Sequence, residues 1–334
     1  MSARRLFIAA TIALTAFAAS AARGWSESDF AKIIARYDVA DTVMNAGSAE
    51  EFWSLLQMTD RQFRKTAKSM AGKGDKDLKR IMVSTLSACD TYFREVPVDG
   101  SLYPFSENII DRSGLRGIAP TAIMSVTEES DIASFSYPNG YFFITRPLYE
   151  LLGCDSTAIL ALVSAEGAHY ALQHAYAHSK WEKSRRNKRK FWQIFGAAAI
   201  TTAGIIIDQA TDGYYSPAVE LATIAAVTLL SVDHSPRYGM LYTPEQVFQA
   251  DIVAYRFMEW AGYGGNSYID ALRRSGFHLD AANPQPDAPA VTTRLALLEY
   301  LDANPGLRTR ASHRDRRPKP VASYQTLLAP SNYR

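Results

Sequence analysis

The chain has 334 residues, of which 47% are hydrophobic and 21% are charged, so it is long enough to bury a core and is not compositionally disordered. Its two cysteines exclude a disulfide scaffold. The formal net charge is +2, and two basic clusters, at Lys180–Lys190 and Leu307–Arg334, leave the rest of the chain acidic. Because a nucleic-acid-binding domain is broadly basic, this distribution argues against nucleic acid as a partner.

Residues 1–22 have the pattern of an export signal peptide. Two arginines precede an uncharged apolar run from Leu6 to Phe17, and small residues follow it. This run is shorter than the ~20 residues that an uncleaved membrane anchor needs, which favours cleavage near residue 22. We therefore expect an exported, periplasmic protein. In that oxidising compartment Cys89 and Cys154 either form a disulfide or remain two thiols.

The region that follows the signal peptide, residues 23–96, is predicted to be helical. Its apolar residues recur three and four positions apart, with breaks at Gly47 and at Gly72-Lys73-Gly74. From Pro97 to Gly117 the chain is rich in proline, glycine and serine, and this composition predicts a loop.

A β-rich part comes next, in the segments Thr121–Val126 and Ile132–Thr145. The second segment is interrupted by Asn139-Gly140 between two aromatic runs. Asn-Gly fits the positive φ angles of tight turns, so this pattern predicts a hairpin.

The rest of the regular structure is predicted to be helical. A long helix, in one piece or in two nearly continuous pieces, begins at Asp155 or Ser156 as N-cap. Thr243-Pro244 has the pattern of another helix start, with Gln246 completing a capping box. The predicted helices are 157–190, 244–260, 267–274 and 292–301, and the basic tail at 306–334 is expected to be flexible.

Two uncharged segments, Phe191–Ile207 and Leu221–Val232, lie between the long helix and the next one. Both are short for a membrane span, which favours a buried helical pair over a membrane hairpin. The basic cluster before them leaves a contact with a membrane surface open for the segment 180–232.

The clearest chemical pattern lies in the predicted long helix, at Ala165-Glu166-Gly167-Ala168-His169. A zinc peptidase helix carries His at positions i and i+4 to bind the metal, and Glu at i+1 as the general base. Here Glu166 and the second His are present, while Ala165 occupies the first His position. On its own this partial match indicates no function, because Glu three residues before His is common in helices.

Other segments accompany this helix. Before it, Ala133–Arg146 has aromatic residues on both sides of Pro138-Asn139-Gly140. After it come, in chain order, His174, Gln249-Ala250-Asp251, Ala261-Gly262-Tyr263, Pro289 and Arg294.

In their order and spacing these segments resemble the zinc peptidase family of BepA, HtpX and the CAAX prenyl protease, peptidase family M forty-eight. That family has a hairpin of the form NAFALPGGYIFVTRG before its zinc helix, and a His often trails that helix. An ExEAD helix with an AGY ending and a late HPxxxxR motif follow. The resemblance covers about Ala119 to Leu301, a little over half of the chain.

The resemblance implies an α+β, mostly helical, zincin-like fold with a small β-hairpin or sheet beside the active-site helix, in a domain at 97–305. It also implies residue roles: Glu166 as general base, His169 as metal ligand, Asp251 as a residue behind the ligands and Arg294 as a catalytic residue.

Two of the three metal ligands of that family are missing. Ala165 replaces the first His, Val247 replaces the third-ligand Glu, and Ala288 replaces the His of the late motif. One imidazole does not hold zinc, and without zinc Glu166 has no bound water to activate. We therefore expect no cofactor, with zinc only if unorthodox ligands complete the site.

Neighbouring side chains are not expected to replace the lost ligands. His174 lies about 140° around a continuous helix from His169, and Glu245 lies about 200° from Val247, so both face away. His174 and His178 share a helix face, either as two interfacial or solvated histidines or as a separate metal site.

The polar residues that remain at the site are expected to be structural. Buried polar groups need partners, so we expect Glu166 and His169 to form a hydrogen-bonded pair. By the same argument, Asp251 and Arg294 form an ion pair nearby.

These expectations favour a pseudopeptidase that binds unfolded or extended polypeptide by strand addition and acts in envelope-protein quality control. Two alternatives remain: an active zinc metalloendopeptidase with unorthodox or partner-supplied ligands, and a structural envelope protein. The hairpin residues assigned to peptide binding are Phe135, Tyr137, Asn139, Gly140 and Tyr141.

Overall fold

A computed structural model of the chain describes residues 25–70, 87–177, 242–282 and 289–307. In these ranges the protein is mostly helical and contains one small sheet, which agrees with the predicted α+β class. The predicted signal peptide, the 180–232 segment and nearly all of the basic tail lie outside the described residues.

Helices form the N-terminal region, as the apolar spacing predicts. Ser26 and Asp29 form a capping box at the first helix, and Ser48 caps the third. Phe52 and Trp53 of the third helix are fully buried. The helices are α1 (Glu27–Tyr37), α2 (Asp41–Met44), α3 (Ala49–Thr59) and α4 (Arg61–Met70), with α5 at 87–95.

The prediction of a loop from Pro97 to Gly117 is wrong, because most of this segment is a helix, α6 (Tyr103–Ser113). Its proline, Pro104, is in the first turn, where a missing N–H costs nothing, and Gly114 ends it in the left-handed conformation. The composition that suggested a loop therefore belongs to the two ends of the helix. Its buried residues, including Ile109 and Ile110, join the core.

The sheet has three strands, β1 (Ile123–Thr127), β2 (Ser134–Tyr137) and β3 (Tyr141–Thr145), in the order β1-β3-β2. β1 pairs with β3 in parallel, and β2 pairs with β3 as the predicted antiparallel hairpin. Gly140 adopts a φ of 87°, and the backbone N–H of Tyr141 donates to Asn139 Oδ1. The loop between the paired residues Tyr137 and Tyr141 thus has three residues, and glycine supplies the positive φ that it needs.

The short helix α7 (Arg146–Leu151) leads to α8 (Ser156–Ala171), which carries the zinc-helix pattern. Asp155 caps α8, as predicted. The predicted long helix is interrupted after Ala171, because Gln173 has a φ of 58°, and one helical turn follows at 174–177. A residue in this left-handed conformation turns the chain out of the helix.

Three more helices complete the described fold. Thr243 and Gln246 form the predicted capping box at the first of them, and the second extends beyond its predicted end at residue 274. They are α9 (Pro244–Trp260), α10 (Asn266–Ala282) and α11 (Val291–Ala303).

α8 lies at the centre of this arrangement, where it packs against α6, α9, α10 and β2. It is buried on nearly all sides, and Leu115 lies so close to Gly167 that a Cβ atom there would be 2.8 Å from a leucine methyl group. One hydrophobic core connects the N-terminal helices with α8 to α11.

A buried ion pair also joins the N-terminal region to α9. Asp38, just after α1, accepts two hydrogen bonds from Arg256, at 2.8 and 2.7 Å, and both side chains are at most 1% exposed. Breaking such a pair by removing one partner costs about 3–5 kcal/mol. This contact fixes the position of α9 relative to α1.

The two cysteines are free thiols in the structure: Cys89 is buried and Cys154 is exposed. Of the two alternatives for these residues, the structure therefore contains the unpaired one. Over the described ranges, no helix combines the length and the apolar character needed to cross a membrane.

Candidate functional site

Glu166 of α8 faces the β-hairpin. Its Oε2 accepts a hydrogen bond from the hydroxyl of Ser136 on β2, at 2.7 Å. Burial raises the pKa of Glu166 to about 7, while the hydrogen bond from Ser136 and the charge of Arg294 oppose this rise. Near neutral pH the carboxyl group is therefore partly protonated, as a general acid or base requires.

His169 lies one turn further along α8 and is in contact with His174. Their Nδ1 atoms are 2.9 Å apart. The prediction that His174 faces away is wrong, because it assumed a continuous helix. The interruption at Gln173 brings His174 back against the end of α8.

Both imidazoles are neutral at neutral pH. Burial, followed by His174 and Arg294, lowers the pKa of His169 well below its ordinary value. Burial also lowers the pKa of His174 to about 4, although a hydrogen bond to Gln249 opposes this. A neutral imidazole carries one N–H, so each ring donates from one nitrogen only.

A chain of hydrogen bonds extends from this pair to the N-terminal region. His174 Nε2 lies 3.2 Å from Gln249 Oε1 on α9, and Gln249 Nε2 donates to Asp60 Oδ2 at 2.9 Å. Because the amide oxygen only accepts, His174 donates from Nε2, and His169 must donate from Nδ1. The lone pair of His169 is therefore on Nε2.

The ring of Tyr242 packs on the face of the His169 ring. The two rings are stacked, with centroids 3.7 Å apart and planes inclined by 20°. Burial raises the pKa of Tyr242, the Glu166 carboxylate adds to the rise, and a hydrogen bond to Ser136 opposes it. Tyr242 therefore lies beside His169, Glu166 and Ser136.

The expected ion pair between Asp251 and Arg294 is present. Arg294 donates from Nε and Nη2 to the two carboxylate oxygens at 2.9 and 2.7 Å, and the Tyr268 hydroxyl donates to the same carboxylate at 2.6 Å. Burial lowers the pKa of Arg294 and Asp251 raises it, with a net rise. The guanidinium group of Arg294 thus binds the Asp251 carboxylate, which gives Arg294 a structural role.

The expected hydrogen bond between Glu166 and His169 is not formed among the described residues. Glu166 bonds to Ser136 and His169 to His174 instead. Each side chain has its hydrogen-bond partner on another segment, which is β2 for Glu166 and the helical turn at 174–177 for His169.

The residues present do not fit the zinc ion that the family resemblance implies. Ala165 and Val247 have no ligand atoms; Ala165 packs against the hydrophobic core, and Val247 is buried. In the ranges that the structure describes, no three His, Cys, Asp or Glu side chains are arranged to hold a metal. His178, the second residue of the alternative His pair, lies outside those ranges.

The aromatic residues of the hairpin form a layer against α5. Phe135 is 3% exposed and stacks on Phe143 with centroids 5.1 Å apart, and both contact Tyr92. Tyr137 and Tyr141 are half-buried at the border of this layer. The side chain of Phe135 therefore belongs to the core.

Sequence reasoning missed Asp60, Tyr242 and the role of Gln249. Asp60 is 189 residues from its partner Gln249, so no local pattern connects them. Tyr242 immediately precedes the recognisable helix start at Thr243, but nothing in the sequence marks it as part of the site.

No protein-family model and no curated protein matches this chain.

Proposed function

We propose that this chain is an exported pseudopeptidase with a zincin-like fold that binds extended polypeptide along the outer edge of β2, in envelope-protein quality control. The observation that carries the proposal is the position of β2. β2 is an edge strand of the described sheet, and the hydroxyl of its residue Ser136 donates a hydrogen bond to Glu166 of α8.

The register of the hairpin identifies the backbone groups that would bind a peptide. Thr145 N–H donates to Ala133 O, so alternate residues of β2 bond to β3. The backbone groups of Ser134 and Ser136 therefore point to the outer side. Within the described ranges neither residue makes a further backbone hydrogen bond. Ser136 is only 5% exposed, so the partly exposed Ser134 is the residue with which a peptide strand would pair first.

The state of the catalytic side chains supports binding without hydrolysis. Glu166 has a pKa suited to proton transfer, but among the described residues no group of His, Cys, Asp or Glu side chains is arranged to hold a metal ion that would activate a water molecule. His169 is covered by Tyr242 and held by His174. The helix and the sheet edge that would bind a substrate are thus kept, while peptide hydrolysis is lost.

A matched pair of variants at one position tests strand addition. S134P removes an outward N–H without removing a bond to β3, and proline is tolerated at such edge positions. S134A removes the hydroxyl but keeps the N–H. Fluorescein-labelled casein, an unfolded polypeptide, serves as the probe, with binding followed by fluorescence anisotropy.

We expect the wild-type protein and S134A to bind casein with similar affinity, and S134P to bind at least tenfold more weakly, because it loses a backbone hydrogen bond and clashes with the added strand. Circular dichroism and the melting temperature establish that both variants are folded. Equal binding by S134P and S134A, or no binding by the wild-type protein, would refute the proposal.

A further inference from the structure

A cavity of about 890 Å³ lies between the N-terminal helices, α9 and the helical turn at 174–177. Its volume is in the range of ~300–1,000 Å³ that is typical of small-molecule sites. The polar side chains of Thr59, Thr66 and Gln249 line it together with aromatic ones. The cavity is separate from the edge of β2, and the inference below does not depend on peptide binding there.

Three cationic side chains line this cavity: Arg36, Arg61 and Lys65. None of them forms an ion pair with a carboxylate of the described residues, whereas arginines elsewhere, such as Arg116 and Arg146, do. Arg61 and Lys65 are four residues apart on α4 and therefore share one face. The wall of the cavity thus carries three positive charges, from residues of α1 and α4.

The two acidic residues of the cavity wall offset at most one of the three positive charges. The Asp38 carboxylate is neutralised by its buried pair with Arg256. Asp60 accepts hydrogen bonds from the backbone N–H of Phe63 and from Gln249, and burial raises its pKa. Glu245, whose charge acts on nearby Tyr37, does not line the cavity.

We propose that this cavity binds a small organic anion, whose carboxylate or phosphate group is bound by Arg36, Arg61 and Lys65. Arginine binds both groups through paired N–H donors, and lysine adds a point charge. Thr59 and Thr66 line the same cavity and would contact the rest of the ligand. The hydrogen-bond chain from Asp60 joins this site to His169.

Isothermal titration calorimetry of the full chain tests the assignment with two probes, citrate for a carboxylate and inorganic phosphate for a phosphate group, with sodium chloride at equal ionic strength as the blank. The double variant R61Q/K65Q removes two charges from the cavity. The matched double variant R64Q/K68Q removes two charges from the same helix, at exposed residues that do not line the cavity.

We expect saturable binding of at least one probe, weakened tenfold or more in R61Q/K65Q and changed less than twofold in R64Q/K68Q. The probe that binds more tightly identifies the group that the site prefers. Binding of neither probe, or equal losses in the two double variants, would overturn the proposal, since the second result means that only the general charge of the helix matters.

Discussion

The carboxyl groups of Glu166 and Asp251 differ in the hydrogen-bond donors that surround them. Asp251 receives two hydrogen bonds from Arg294 and one from Tyr268, so its charge is fully compensated. Glu166 has one neutral donor, Ser136, and burial raises its pKa to about 7. Glu166 therefore changes its charge near neutral pH.

This difference predicts a pH-dependent effect of E166Q. The pKa of Glu166 rises from 4.5 to about 7 on folding, so its contribution to stability is complete below pH 4.5 and is lost as the pH rises through 7. Glutamine resembles the protonated acid at every pH. We expect E166Q to melt about 2–4 °C above the wild-type protein at pH 8, with a smaller difference at pH 5.

The control for this experiment is E128Q. Glu128 is exposed, and hydrogen bonding with Arg146 lowers its pKa, so its contribution to stability is present above pH 4.5 and is lost at lower pH. E128Q should therefore leave the melting temperature unchanged at pH 8 or lower it slightly. A difference between E166Q and wild type that does not vary with pH would contradict the account of Glu166.

At the scale of the element, the interruption after α8 decides which side chains meet. Gln173 adopts a φ of 58° and is 4% exposed, with its amide nitrogen donating to the carbonyl of Tyr170. This turn directs His174 towards His169 and Gln249. Without it, a continuous helix would separate the two histidines.

Substitutions at Gln173 test this conformation. A β-branched residue is strained at positive φ, so Q173V should lower the free energy of unfolding by about 1–3 kcal/mol. Glycine adopts positive φ readily, so Q173G should cost less than Q173V. Urea unfolding measures both. If Q173V is the more stable variant, the chain at 172–173 is helical and the proposed turn is incorrect.

The elements differ in how well the sequence predicts them. The helices at Asp155 and Thr243 and the hairpin at Asn139-Gly140 are predictable, because capping and turn residues act within a few positions. The loop expected at Pro97–Gly117 and the orientation expected for His174 are wrong, because each depends on tertiary packing.

The candidate site divides in the same way. Residues of one helix, such as Glu166 and His169, follow from the motif that the sequence contains. Asp60 and Tyr242 do not, because they reach the site from distant segments of the chain. Hydrogen-bond partners that are far apart in sequence leave no periodic signal.

At the scale of the whole molecule, α8 and α9, the two helices that carry the positions of the lost ligands, pack against each other. Ala165 is one turn before His169, and Val247 is on the buried side of α9. Both positions have small or medium-sized apolar side chains. The scaffold can therefore be tested by returning ligand atoms to it.

We predict that the double variant A165H/V247E binds about one zinc ion per chain, because His, His and Glu complete a three-ligand site, whereas the wild-type protein binds none. Elemental analysis of the purified proteins gives the zinc content. Adding Y242A should increase zinc affinity further, since Tyr242 stacks on His169. The single variants A165H and V247E serve as controls with an incomplete ligand set.

Stoichiometric zinc in the wild-type protein would contradict this prediction and would favour the active peptidase with unorthodox ligands. Absence of zinc from A165H/V247E, if the variant is folded, would count against the zincin-like fold itself. Casein cleavage by A165H/V247E that is abolished by E166Q would show that Glu166 keeps the position of a general base.

The buried pair of Asp38 and Arg256 joins residues 218 positions apart, and the bond between Asp60 and Gln249 joins residues 189 apart. Contacts of such high sequence separation close large loops and slow folding. A nascent chain that ends before α9 lacks both partners, so neither the site nor the cavity can form on it. Their assembly is therefore a late event, which must wait until the chain has been made as far as α9, which ends at Trp260.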